Sequence, residues 1–491
     1  MNLKRIVALG LPVVFIASLA QAQSVPDNPE KLTYAPLTYT PPAAKDYRVV
    51  LKNGMVAYII EDKALPLINI QVIVRAGVWL EPAGKAGLAR LTGSQMRAGG
   101  TKSLTAEQFD ERADFLAAQI GSSIGDTSAG ASLNCLADNL DDSLKLFIEM
   151  LRTPRFQEDR LKLAKEQILQ DMKKRNDESS DIESRELNVL LNGEDHFTNH
   201  FSTEASISSL TSADLKAFHD QYYFPANMIL AVSGAFNKAD MVKKLDDAFA
   251  AWPSPKMMTP AIPSTLKTAA PGFYRINKDV NQGRVSVVLP TVLRTSPDIY
   301  ALEVMNEILG GSGFTSRITR TVRSNEGLAY SAGSGIGFGT YYPGRFRASY
   351  QSKSSTVAYA LQLVFEEIKK IRDTQVTEEE LVTIKNNLIQ TFPSSFESKA
   401  QQAGLFAADE YTKRDPLFWA TYRDKIQAVT AADIQRVAKT YLVPDKMITL
   451  VVGNQAEIGK GDGKHDITVD KVANGKVIEL TLRDPMTMKR K

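Results

Sequence analysis

The stretch Glu81–Thr101, EPAGKAGLARLTGSQMRAGGT, has the frame of a metal-binding helix and none of its ligands. A Gly-rich start leads into Leu88, Leu91 and Met96, which form an apolar stripe at helical spacing, and a Gly-Gly pair ends the run. No His, Asp, Glu or Cys lies between Gly84 and Thr101. The rest of the chain shows why such a frame would persist without its chemistry.

At 491 residues the chain is too long for one ordinary core and predicts two to four domains. Its 43% hydrophobic and 23% charged residues are those of a folded protein, and a net charge of +3 gives no reason to expect nucleic acid or an anionic membrane. Residues 1–22 read as a secretory signal: Lys4 and Arg5, an apolar run from Ile6 to Leu19, then Ala20-Gln21-Ala22. That run is short for a membrane span and holds Gly10 and Pro12, so the expectation is cleavage and a periplasmic or secreted chain without a membrane span. Cys135 is the only cysteine, so no internal disulfide can form. Its place in alternating ASLNCLAD marks it as a core residue rather than a catalytic thiol.

The Pro-rich segment Trp252–Gly272 reads as a linker between two similar halves. Thr211–Gly234 aligns without gaps on Thr430–Gly453, each a capped helix ended by Pro and followed by an apolar strand to Gly. The expected organisation is therefore a signal (1–22), a first domain (23–252), a linker (253–272), a second domain (273–460) and a tail (461–491). Asn53-Gly54 predicts a hairpin, and Ile68, Ile70, Val72 and Val74 a half-buried strand. Helices are expected at 84–96, 106–118, 140–151, 158–174 and 182–191, and in the second half at 297–309, 315–323 and within 356–411. Each half reads as an α+β unit, an antiparallel sheet packed by helices. In the tail, Asn474-Gly475 predicts a small hairpin.

Two segments carry a family resemblance. Glu81–Thr101 resembles the frame EPxGxxGLAHFLEHMxFxGT of the M16 zinc metallopeptidases, the insulinase and mitochondrial processing peptidase type. GGSGFTSRITRTVRSNEGLAYSAGS, Gly310–Ser334, resembles the segment GxxSRLFxxLREKxGLAYSV of the same family, with Ser324 and Glu326 as departures. The resemblance covers nearly all of the chain after the signal and implies two homologous domains of the LuxS/metallohydrolase-like fold. It places Arg90 and Ser94 where the family has its two zinc-binding His, Gly93 where it has the catalytic Glu, and Asp171 where it has the third ligand. A guanidinium repels Zn²⁺, a Ser hydroxyl is a weak ligand, Gly has no side chain, and one carboxylate does not hold the metal. His196 and His200 are four apart in a segment similar to a non-ligand loop of the family. His219 and His465 stand alone.

By the same resemblance Arg323 and Tyr330 stand where the family's C-terminal half carries an Arg and a Tyr that hold the substrate backbone. Chemically, a guanidinium offers planar donors to a carbonyl and a phenol donates to a developing oxyanion. The resemblance implies an exported non-catalytic subunit with no catalytic residue, metal or cofactor of its own, since zinc would reside in a partner M16 subunit acting on unfolded peptides. The alternative is a structural or peptide-binding protein of this fold with no peptidase partner.

Overall fold

In the first half β1 (Arg48–Val50), β2 (Val56–Glu61) and β3 (Leu67–Val74) lead to α1 (Leu88–Ala98) and α2 (Ala106–Phe115). Then come β4 (Gln119–Ile124), β5 (Ala129–Leu136), α3 (Leu140–Arg152), α4 (Glu158–Lys173) and α5 (Ser179–Asn192). A short α6 (Glu204–Ser209), α7 (Ser212–Tyr222), β6 (Met228–Gly234) and α8 (Lys238–Phe249) complete it. The second half runs β7 (Gly272–Asn277), β8 (Gln282–Pro290), α9 (Ile299–Asn306), β9 (Ala329–Ile336) and β10 (Arg345–Lys353). It continues through α10 (Val357–Asp373), α11 (Glu378–Thr391), α12 (Lys399–Thr412), α13 (Phe418–Ala428) and α14 (Ala431–Tyr441). It ends with β11 (Ile448–Gly453), the short α15 (Gln455–Ile458) and α16 (Val469–Val472), and β12 (Val477–Glu479). This computed structural model describes residues 38–255 and 259–490, with Asn28 and Leu32. The expected signal lies outside the described residues. Among them no helix is long and apolar enough to cross a membrane.

The chain is a mixed α+β protein with two six-stranded sheets, ordered β1-β2-β6-β3-β5-β4 and β12-β7-β11-β8-β10-β9. Strand for strand the two orders correspond, from β2 and β7 through to β4 and β9. The sheets are antiparallel except at β2–β6 in the first and at β7, which runs parallel to both β11 and β12, in the second. The aligned segments occupy equivalent places. Thr211 and Asp214 form a reciprocal cap on α7 before β6, and Thr430 and Asp433 form the same cap on α14 before β11. Both strands are buried throughout, as suits the middle of a sheet covered on both faces.

Local chemistry explains the edges. Gly54, at φ +84°, turns the β1–β2 hairpin, and Asn53 Oδ1 accepts from the Met55 N–H at 3.0 Å. Ile68, Ile70, Val72 and Val74 all face the core, where Cys135 is also buried; burial raises the Cys135 thiol pKa and leaves it inert. Two expectations need correction. Asn474-Gly475 does not close a tail hairpin: it links α16 to β12, which joins β7 as a parallel strand. The helices expected at 297–309 and 315–323 widen into π-type turns, Glu307–Gly311 and Thr319–Asn325.

The halves exchange helices. From the first half, Ile182, Leu187, Leu190 and Leu191 of α5 pack on β7, β8 and β11 of the second sheet. From the second half, α12 lies across β2 and β6, with Phe406 stacked on Tyr47 at 5.9 Å. Each exchanged helix brings a carboxylate. Glu183 of α5, 1% exposed, accepts from Ser286 Oγ at 2.7 Å and Arg347 Nη2 at 2.9 Å. Glu410 of α12 accepts from Tyr58 at 2.8 Å and pairs with Arg48 at 3.0 Å.

Candidate functional site

Helix α1 begins at Leu88, just after Gly87, whose φ of +99° suits the residue without a side chain, rather than at Gly84 as expected. Glu81 reaches over this start, and its Oε1 accepts from the backbone N–H of Gly87 at 3.1 Å and of Ala89 at 2.7 Å. Burial pushes the Glu81 carboxyl up to about 7, against the pull of these two donors. The sequence reading did not single out Glu81; its signal was an acidic residue a fixed distance before the Gly-rich start. Helix capping thus accounts for part of the retained frame.

The motif positions are put to other uses. Arg90 is exposed and pairs with Asp126, after β4, at 2.5 Å. Ser94 is exposed and donates to the Leu91 carbonyl within its own helix at 3.1 Å. Gly93 lies flush on β4. A Cβ there would collide with the Ile124 backbone nitrogen and stand 2.8 Å from the Ser123 carbonyl carbon, while Ser122 Oγ donates to the Gly93 carbonyl at 2.6 Å. Asp171 is exposed on α4. Helices α1 and α4 pack together, but the side chains at these four positions amount to a guanidinium, a hydroxyl, a bare glycine and one exposed carboxylate. This residue set does not fit zinc, whose sites need imidazole or thiolate donors in number.

The histidines do not replace it. His196 Nδ1 is shared with Thr198 Oγ1 at 2.8 Å and His200 Nε2 meets the Asp195 carbonyl at 3.1 Å, so the two rings serve their own loop. His219 is buried between the Leu151 carbonyl and Asp220, and His465 stacks on Tyr359 and meets Asp462. Among the described residues no three His, Cys, Asp or Glu gather as metal ligands would.

Arg323 and Tyr330 do come together, at the edge of the second sheet. Arg323 sits on the wide turn Thr319–Asn325 and Tyr330 at the start of edge strand β9. The guanidinium carbon lies 4.7 Å from the Tyr330 ring centroid and 4.4 Å from that of Phe314. Tyr330 is 85% exposed. No carboxylate pairs with Arg323 among the described residues. Its turn is fixed from below: Thr319 donates to the Ala332 carbonyl at 2.7 Å, Thr321 to Glu367 at 3.0 Å, and Arg317 grips Glu380 with two bonds of 2.7 Å. Phe314 was not anticipated from the sequence. No hydrogen bond or ion pair among the described residues links this group to Arg90, Gly93, Ser94 or Asp171.

Residues 209–388 match the family described as Peptidase M16 inactive domain. The chain is 25% identical over 400 residues to the Non-peptidase homolog YmxG of Helicobacter pylori, covering 80% of this chain and 91% of that protein. It is 25% identical over 434 residues to the Zinc protease PqqE of the same organism, covering 83% and 92%. Its fold matches the crystal structure of a peptidase M16 inactive domain from Pseudomonas fluorescens, with TM-score 0.74, 25% identity and coverage of 83% and 97%. It also matches a protease from Helicobacter pylori, with TM-score 0.71, 23% identity and coverage of 84% and 100%. The chain is thus an M16-like homologue of the inactive type, matching that family's inactive-domain model over residues 209–388 and similar over most of its length to M16 zinc-protease relatives.

Proposed function

We propose that this chain is the exported, non-catalytic subunit of a heterodimeric M16 zinc metallopeptidase, and that Arg323 and Tyr330 position unfolded peptide for a zinc-bearing partner. The observation that carries this reading is the pair itself. A guanidinium that pairs with no carboxylate among the described residues and a phenol that is 85% exposed stand together on a hydrogen-bonded platform. Such donors, fixed before substrate arrives, cost little reorganisation when a carbonyl gains charge. The relatives support a division of labour, since Helicobacter pylori carries both a relative named as a zinc protease and one named as a non-peptidase homolog. Export to the periplasm or outside rests on residues 1–22.

The alternative, a peptide-binding or structural protein without a peptidase partner, is favoured by the filled motif positions alone. Affinity purification of the tagged chain from its own cells separates the two. The proposal expects a stoichiometric partner that carries His-x-x-Glu-His and one zinc. Recovery of the chain alone, or with partners lacking that motif, favours the alternative.

A further inference from the structure

Phe314 is 64% exposed, on a turn with no core to join, yet its position is closely fixed. Gly313, at φ +63°, starts the turn, and the Ser316 N–H donates to the Gly313 carbonyl at 3.0 Å. Ser312 and Thr315 share a bond of 2.9 Å, and Ser316 Oγ donates to Thr319 Oγ1 at 2.9 Å. Thr319 donates to Ala332, two residues along β9 from Tyr330. One hydrogen-bonded chain therefore fixes both rings that Arg323 touches.

A half-buried arginine that no carboxylate holds among the described residues still has several rotamers open to it, and ordering it on binding costs affinity. Stacking uses the faces of a guanidinium and leaves its N–H edges for acceptors in its plane. We propose that Phe314 is a positioning residue of the Arg323–Tyr330 site: the two rings hold the guanidinium ready for a planar oxygen acceptor of a bound peptide, a backbone carbonyl or a carboxylate. The inference rests on the reading of Arg323 and Tyr330 as a peptide-contacting pair. It goes beyond that reading in assigning a third residue and a mechanism, preorganisation of the arginine.

The test is fluorescence anisotropy of a short, labelled, unstructured peptide containing one Glu, titrated with the mature chain and its variants. A second peptide has Gln in place of Glu and an amidated C-terminus. Phe314→Leu keeps apolar bulk and removes the ring; it weakens binding about 3- to 10-fold, the range for losing one exposed stacking contact and freeing one long side chain. Phe314→Tyr restores binding, which a role in filling space would not require. Thermal melting is the same for all three chains. The Leu penalty persists with the uncharged peptide if the acceptor is a backbone carbonyl, and vanishes with it if the acceptor is a carboxylate. If Arg323→Ala abolishes binding while Phe314→Leu matches wild type on both peptides, the role of Phe314 is overturned and the pair stands. If wild type does not bind, or Arg323→Ala is harmless, the reading of the pair and this inference fall together.

Discussion

Gly93 and Ile124 touch so closely that any side chain at position 93 would run into the strand backbone. The second half has the same device, where Gly310 lies against the Ser334 backbone of β9. In both halves a glycine lets the helix settle on the edge strand of its sheet. At α1 that settled packing occupies Gly93, the position that the sequence resemblance aligns with the catalytic Glu of the zinc motif.

Gly93→Glu should therefore destabilise the chain by overpacking, about 1–3 kcal/mol or more, since backbone rather than a flexible side chain must move. The variant Arg90→His, Gly93→Glu, Ser94→His, Asp171→Glu inherits this strain and should hold no stoichiometric zinc. Thermal melting and metal analysis check both. A quadruple variant that melts like wild type and binds one zinc would show that α1 accommodates the motif freely.

How much of this was legible beforehand depends on the range of the contacts. The α+β class, the hairpin at Asn53-Gly54, the core strand from Ile68 to Val74 and the duplicated caps at Thr211 and Thr430 rest on neighbours in sequence. The Arg323–Tyr330 pair came from family resemblance, and the structure places the two in contact. The tail misled because Asn-Gly signals a turn and not what the next strand pairs with; β12 joins β7, about 200 residues earlier in the chain. The helix exchange, Phe314 against Arg323, and Gly93 against Ile124 had no local signature. Each depends on two segments meeting in the fold.

The exchange of α5 and α12 predicts a chain whose halves do not separate. Cutting the linker within 255–262 should leave both pieces co-eluting as one particle by size exclusion. Glu183→Ala should cost about 2–3 kcal/mol, less than a fully buried pair because Arg347 and Arg284 keep some solvent. Urea unfolding of the uncut protein measures it. Pieces that elute separately would contradict the clasp.

Stability should fall on the acid side through His219. Burial holds its pKa below the usual 6.5, with the Leu151 carbonyl and Asp220 opposing and Lys216 assisting. The unfolded chain then binds the proton more readily than the folded one. This contribution is complete above about pH 6.5 and lost as pH falls through the depressed folded value. His219→Gln, whose amide can still donate to the Leu151 carbonyl, should lose less stability between about pH 7 and 5 than wild type. Burial depresses His196 in the same direction, while the raised Glu81 carboxyl takes up a proton in the folded chain over this range and opposes both. The comparison is therefore of the two curves' difference and not of either slope alone. Urea titrations across this range check it; parallel curves would rule His219 out as a source.

The central claim is that Arg323 and Tyr330 serve a partner's chemistry, and the most direct measurement is kcat of the reconstituted heterodimer on an unstructured peptide with Tyr330→Phe in this chain. The substitution removes one hydroxyl from a ring that is 85% exposed, so folding, assembly and the partner's zinc content should be unchanged. The account predicts a loss in kcat of roughly 100- to 1000-fold, as expected when one donor to a developing oxyanion is removed. Full activity in the Tyr330→Phe complex, with zinc content and assembly equal to wild type, would contradict it.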